Sequence, residues 1–289
     1  MAALLYISLY ASLLLFVIGC VKRAHEYSRF PMHLRWELYP VPHEDPVRAA
    51  YGGSYFEESE WWTKSRRRNR VGELRTMVVE IILLDTVRKA KPDLWWRSLV
   101  FHGGIFGVVF AFLLQVVGLA VPAAVWISRV SLALCIIGSA ALLSRRWFDR
   151  ELKNSTNPAH AIHLVLIIFA ASLLLIGSFQ AAVPSVRDFV RAALFFNTDL
   201  ALPATLTVGL FLCCALLAYI PFSAMAHFIG KYFGYHSVRW DDEPNRGEKL
   251  VRPIAQNLSY RPTWSAGHMH AGKTWAEIAA GAPEGEVQK

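Results

Sequence analysis

Charged residues are scarce in this chain of 289 residues. They make up 18% of the sequence, whereas hydrophobic residues make up 54% and the mean hydropathy is +0.32. A soluble globular domain carries about 25% charged residues, and the shortfall here lies in long apolar runs that contain no Asp or Glu. The composition therefore excludes a single soluble domain and indicates an integral membrane protein.

Five apolar runs are long enough to cross a bilayer, which takes roughly 18 or more residues in a helix. They cover residues 2–21, 99–119, 121–143, 161–183 and 201–229. These runs predict an all-α membrane protein built as a bundle of five transmembrane helices. With 1–21 as the first helix, the chain divides into a loop at 22–95, four more helices within 96–230 and a tail at 231–289.

Cysteines are few and are not clustered. All four lie in apolar runs, and no two have the C-x-x-C spacing of zinc or iron–sulfur sites; they are Cys20, Cys135, Cys213 and Cys214. We expect them to be small buried side chains. Any iron–sulfur chemistry linked to this protein must then come from a partner.

Basic residues are absent before the first apolar run. A secretory signal peptide begins with a positive segment, so the first run is predicted to be a membrane anchor. Lys and Arg number fifteen in 22–97, four in 145–153 and eight after His227, but only two between the fourth and fifth runs. The positive-inside rule then predicts a periplasmic N-terminus and a cytoplasmic C-terminus. The net charge of +8 has this explanation, and no nucleic-acid partner is expected.

The predicted cytoplasmic loop and tail are polar segments between and after the runs. Residues 72–89 mix apolar and charged positions and predict an amphipathic helix, which lies on the membrane surface or packs on a partner. The tail contains several Gly and Pro with little helical periodicity. It is predicted to dock a soluble subunit, with a disordered tail as the alternative.

Two histidines occupy matching positions in different runs. His102 lies near the start of the second run and His227 near the end of the fifth, each about 6–7.5 Å along a helix from the nearest charged boundary residue. Two imidazoles at one depth can bind heme iron from both sides. Gly103 and Gly104 would let a flat macrocycle approach the helix. The alternative is that both histidines are hydrogen-bonded core residues.

Further polar residues lie in the other runs. His160 and His163 open the fourth run on one side of the helix, where they suit a quinone, a second heme or simple placement at the membrane surface. Arg129 is the only basic residue well inside a run, and Gln115 lies at a similar predicted depth. A buried arginine indicates a functional site, here for a quinone or a heme propionate, unless Gln115 merely pairs with it.

The order of these motifs resembles one family over nearly the whole chain. The motifs are FHGG at 101–104, PFS at 221–223 followed by His227, and VRWDDEP at 238–244. They resemble the gamma subunit of respiratory nitrate reductase and the related membrane cytochrome b subunits of the sulfate-reducer Dsr and Tmc complexes. Two more segments, MHLRWELYP at 32–40 and GGSYFEE at 52–58, look most like the Tmc-type branch.

The resemblance implies heme b with His102 and His227 as axial ligands of the iron. The nitrate reductase subunit carries a second heme, but the positions of its ligands hold Phe112 and Gly209 here. One heme is therefore implied, and a second would need His163. The resemblance also implies electron transfer with menaquinone or another quinone in the inner (cytoplasmic) membrane. The implied partners are a cytoplasmic iron–sulfur subunit resembling the heterodisulfide reductase catalytic subunit and a periplasmic multiheme cytochrome c.

Two other classes of function compete with this interpretation. A membrane anchor without a cofactor would use the loop and tail to dock an enzyme. A proton or ion transporter is disfavoured because the runs hold no acidic residue and no inverted repeat is evident.

Overall fold

The computed structural model describes residues 1–29, 42, 44–64, 69–149, 157–180, 183–240, 248–266 and 271–281. Within these ranges the chain is helical, without a β-strand. The chain divides into two units, Met1–Ser28 with Arg67–Phe233 and Arg29–Arg66 with Gly234–Lys289. The α-helices are α1 Ala2–Ser28, α2 Pro46–Ala50, α3 Arg70–Leu83, α4 Asp85–Ala90, α5 Pro92–Val117, α6 Val121–Phe148, α7 Pro158–Gly177, α8 Val186–Leu194, α9 Ala204–Tyr219, α10 His227–Gly234, α11 Glu248–Ser259 and α12 Trp275–Ala280.

Five helices of the first unit are long and apolar enough to cross a membrane, as the sequence predicts. In the described part of the chain they are α1, α5, α6, α7 and Ala204–Phe222, which is α9 with the turn that follows it. Many of their large apolar side chains are exposed, among them Leu14, Val109 and Phe169. Such surfaces are stable where lipid replaces water. The protein is therefore a multi-pass membrane protein in contact with a lipid bilayer.

The spanning helices pack in series, α5 on α6, α6 on α7, α7 on α9 and α9 on α1. Small residues bring α5 and α6 close together, as is typical of membrane helices. A methyl group on Gly104 would lie 2.6 Å from the Cys135 amide nitrogen, and one on Gly138 would lie 2.6 Å from the Phe101 backbone. This tight contact fixes the segment of α5 from Phe101 to Gly104, which includes His102.

The fifth run is not one continuous helix, contrary to the prediction for 201–229. Helix α9 ends at Tyr219, and two 3₁₀ turns, Ile220–Phe222 and Ala224–Ala226, precede α10. Pro221 explains the break, because it has no amide hydrogen and its ring clashes with the preceding turn. Arg23 of α1 donates a hydrogen bond to the Pro221 carbonyl at 3.0 Å. His227 therefore begins a separate short helix and does not lie within the fifth spanning helix.

The amphipathic segment predicted at 72–89 is also divided. Leu84, with φ of 51°, separates α3 from α4, and the Trp95 indole donates to the Leu83 carbonyl at 2.6 Å. One side of α3 exposes apolar side chains, namely Val71, Leu74, Val78, Ile81 and Ile82. Glu80 on the same helix is buried. The helix is thus amphipathic, but it ends at Leu83.

The second unit contains α2, two 3₁₀ turns and the tail helices α11 and α12. Glu58 accepts hydrogen bonds from Arg48 and Lys64, and Thr274 and Glu277 form a capping box at the start of α12. The tail therefore contains helices that the sequence pattern did not indicate. Residues 32–40 and 241–244, which carry part of the family resemblance, lie outside the described residues.

Candidate functional site

His102 and His227 lie next to each other in the first unit. His102 is in α5, His227 is the first residue of α10, and their ring centroids are 6.2 Å apart with the planes at 86°. Two imidazoles bound to one metal through bonds of about 2 Å have ring centroids roughly 6 Å apart. The separation thus matches that of two ligands on opposite sides of one ion.

The hydrogen bonds of both rings favour metal binding through Nε2. Nδ1 of His102 lies 2.7 Å from the Ser98 carbonyl oxygen, and Nδ1 of His227 lies 3.2 Å from the Ala224 carbonyl oxygen. A carbonyl oxygen can only accept, so each Nδ1 carries the hydrogen. In the neutral imidazole Nε2 then has a free lone pair. Metal-binding histidines commonly have this arrangement, in which the outer hydrogen bond fixes tautomer and orientation.

The surroundings of the pair are aromatic and partly open. His102 is half-buried and contacts the rings of Phe101 and Phe106, whereas His227 is exposed at the surface of the first unit. A methyl group on Gly103 would meet no atom within 4 Å. The helix surface at Gly103 is thus open, and the approach of a macrocycle there stays a prediction.

Gly104 has a different role from the one predicted. It is buried in the contact between α5 and α6, and not beside the histidine pair. Its missing side chain serves helix packing. Only one of the two adjacent glycines thus leaves space for a cofactor.

The donor set fits the iron of a heme b. Both nitrogen donors are uncharged, one comes from each of two helices, and the rings of Phe101 and Phe106 adjoin His102. No cluster of three or more His, Cys, Asp or Glu side chains suited to a metal occurs among the described residues.

The hydrogen bonds of His160 and His163 differ from those of His102 and His227. Nδ1 of His160 lies 3.4 Å from a nitrogen of Arg146, which can only donate, so Nε2 carries the hydrogen in neutral His160. Nε2 of the buried His163 contacts the Tyr219 hydroxyl at 3.0 Å. Although their ring centroids are 6.4 Å apart, these nitrogens are already engaged. The geometry does not favour His163 as the ligand of a second heme.

Arg129 does not face Gln115, contrary to the prediction. It donates to the Ser178 carbonyl at 2.5 Å and to the Ser178 hydroxyl at 3.3 Å, and its guanidinium lies 4.0 Å from the Phe179 ring centroid. The Gln115 amide instead donates to Ala111 on its own helix. Arg129 thus caps the end of α7, where a positive charge is favourable.

The level of Arg129 along the bundle also separates it from His102. The contacts between Gly104 and Cys135 and between Gly107 and Ser131 place Arg129 opposite residue 110. This position is eight residues, or about 12 Å, along α5 from His102. The placement supports a capping role for Arg129 and does not support contact with a heme propionate.

The Arg129→Ala variant is expected to lose stability, and it should keep any heme b that the wild type holds. Two hydrogen bonds to a half-buried helix end disappear, which costs about 1–3 kcal/mol of unfolding free energy. Unfolding in mixed detergent micelles measures this loss. The matched control is Arg187→Ala, because exposed Arg187 makes one longer bond of 3.3 Å to the α5 carboxyl end. Loss of heme b from Arg129→Ala at unchanged stability would contradict the capping role.

Three residues near these histidines had no functional prediction. Tyr219 contacts His163, and Glu80 binds Lys231, one turn after His227. The spacing of His227 and Lys231 was visible as a helical i, i+4 pair. Tyr219 lies 56 residues from His163 in the sequence, and Lys231 lies 151 residues from Glu80. No local pattern could therefore indicate these contacts.

A scan against models of known protein families finds no match for this chain, and a search of curated proteins finds none either.

Proposed function

We propose that this chain is the heme b-containing membrane subunit of a respiratory redox complex. It would transfer electrons between the quinone pool and a cytoplasmic iron–sulfur subunit. The observation that supports this most is the pair His102 and His227, whose ring separation and free Nε2 atoms suit one iron between them.

His102 and His227 would hold the heme iron. Their Nδ1–H bonds to the Ser98 and Ala224 carbonyls hold the Nε2-binding tautomer, restrict ring rotation and make each imidazole a stronger donor. A heme b held by these two imidazoles would supply one-electron transfer.

His163 and Tyr219 are the proposed groups for proton exchange with a quinol. His163 is buried, and its Nε2 lies 3.0 Å from the Tyr219 hydroxyl. His160, one turn nearer the start of α7, contacts Arg146. Helices α5 and α7 both begin at this end of the bundle, because each packs on α6. His163 and Tyr219 therefore lie toward the same end as His102.

Membrane orientation and partners belong to the same proposal. The distribution of basic residues supports a periplasmic N-terminus, a cytoplasmic C-terminus and an inner-membrane location. The family resemblance supports an iron–sulfur partner like the heterodisulfide reductase catalytic subunit on the cytoplasmic side. It also supports a multiheme cytochrome c on the periplasmic side and menaquinone as the quinone.

Quinol oxidation tests this function directly. If the chain accepts electrons from quinol, anaerobic addition of menadiol to the oxidised purified complex is expected to give the absorbance of reduced cytochrome b. The His163→Phe variant should slow this reduction while dithionite still reduces the full amount. A cytochrome b that dithionite reduces but menadiol does not would contradict the quinol reaction.

The angle between the two imidazole planes gives a second prediction. Imidazole planes held near 86° would interact with two different iron d orbitals and leave them close in energy. The oxidised protein is therefore expected to give a highly anisotropic low-spin electron paramagnetic resonance signal, with one strong low-field feature. A rhombic three-line signal would indicate nearly parallel rings and contradict the observed geometry.

A further inference from the structure

An ion pair joins the loop helix α3 to the helix that carries His227. Lys231 Nζ of α10 donates to Glu80 Oε1 at 2.5 Å. The Glu80 side chain is 4% exposed and the Lys231 side chain 28%. A buried charged group of this kind requires compensation, and each residue supplies it for the other.

The second oxygen of Glu80 is held as well. Thr86 donates to Oε2 through its backbone amide and its hydroxyl, both at 2.9 Å. The break at Leu84 between α3 and α4 permits this contact, because it lets the chain after α3 return toward Glu80. Burial alone would raise the pKa of the Glu80 carboxyl, but the hydrogen bonds from Lys231 and Thr86 outweigh it and lower that pKa. The carboxylate is thus a charged and fixed anchor.

Helix α10 needs such an anchor. It has eight residues and follows Pro221 and two 3₁₀ turns, so the long helix α9 does not hold it in line. Isolated helices of this length are unstable. Phe228 packs on Phe16 and Phe233 on Tyr27, which fixes α10 against α1. The contact to Glu80 adds a polar attachment to α3.

The attachment lies on the side of α10 that matters for the metal ligand. Lys231 follows His227 by four residues, so both side chains lie on one face of the helix, one turn apart. We propose that the Glu80–Lys231 ion pair positions His227, setting the place and ring orientation of this imidazole opposite His102. The inference rests on the proposed heme function and makes Glu80 and Lys231 positioning residues.

The test compares two variants that disrupt the Glu80–Lys231 ion pair with two control variants. One control keeps this ion pair, and the other removes an unrelated interaction. Glu80→Gln keeps the shape and the acceptor for Thr86 but removes the charge, and Lys231→Met removes the pair from the other end. Lys231→Arg keeps the charge. Asp85→Asn removes the ion pairs of Asp85 with the exposed Arg88 and Lys89, both at 2.6 Å, which contact neither histidine.

Heme b per chain and the low-field resonance of the oxidised complex are the readouts. Glu80→Gln and Lys231→Met are each expected to lose at least half of the heme b and to broaden or shift the low-field feature of the remainder. Their double variant should lose little more, because both changes break one interaction. Lys231→Arg and Asp85→Asn should match the wild type. If one disrupting variant does not accumulate, the other tests the same pair.

The outcomes separate this inference from the function on which it rests. Heme b at the wild-type level with an unchanged resonance in both disrupting variants would overturn the positioning role alone. A wild-type complex without heme b would overturn the proposed function together with the positioning role.

Discussion

Replacing either His102 or His227 with alanine is expected to abolish the low-spin spectrum of heme b. In the proposed site each imidazole would hold the iron through Nε2, the nitrogen left free by the Nδ1 bonds to Ser98 and Ala224. Loss of an outer hydrogen-bond partner costs about 10–100-fold in metal affinity, and loss of a ligand should cost more. Reduced-minus-oxidised absorbance of the purified variants measures the effect.

His160→Ala is the matched control for the two ligand variants. Like His102, His160 lies in a spanning helix, but its Nδ1 contacts Arg146, so its removal should leave the heme spectrum unchanged. If His102→Ala and His227→Ala both kept a normal low-spin spectrum, the proposed ligation would be wrong.

Gly104→Ala is expected to destabilise the helix bundle. The added methyl group would lie 2.6 Å from the Cys135 amide nitrogen and 2.8 Å from the Ser131 carbonyl oxygen. Both atoms are backbone, so a neighbouring side chain cannot relieve the overlap by rotating. Overpacking of this kind costs about 1–3 kcal/mol of unfolding free energy. Unfolding in mixed detergent micelles measures it, and heme content should fall as α5 moves away from α6.

The adjacent residue provides the control. A methyl group on Gly103 meets no atom within 4 Å, and alanine favours the helix over glycine by about 0.5–1 kcal/mol. Gly103→Ala should therefore keep or slightly raise the unfolding free energy. Equal losses in the two variants would contradict the close contact of α5 and α6 at Gly104.

The membrane fold could be predicted from the sequence because it depends on local composition. A helix that crosses lipid must be long and apolar, and the five apolar runs correspond to the five spanning helices. The predicted end of the fifth spanning helix was wrong, because apolar residues continue past Pro221 whereas the helix stops at Tyr219. Here the missing amide hydrogen of proline outweighed hydropathy.

The candidate site was predictable in part. His102 near the start of the second run and His227 near the end of the fifth were predicted to lie at one depth on the same side of the bilayer, which indicated that the rings could meet. The structure brings them to a centroid distance of 6.2 Å. Arg129 illustrates the limit. Its expected neighbour Gln115 was chosen by depth alone, but depth does not specify which faces of two helices meet. The side chain instead reaches Ser178 of α7.

Distant contacts account for what the sequence did not indicate. Glu80 was visible as one charge in an amphipathic segment, with nothing to show that it is buried against a lysine 151 residues later. The same holds for Tyr219 and His163. Such pairs depend on how α3, α7, α9 and α10 pack, which no local periodicity encodes.

The most direct test of the account is the heme b content of the purified wild-type complex. A dithionite-reduced-minus-oxidised spectrum, with heme and protein quantified by the pyridine hemochrome method, gives this value after any cytochrome c is subtracted. We predict about one heme b per chain, since among the described residues the pair His102 and His227 has ring centroids 6.2 Å apart and Nε2 atoms that the Nδ1 hydrogen bonds leave free. Absence of heme b would contradict the account and leave a membrane anchor without a cofactor as the explanation of the fold.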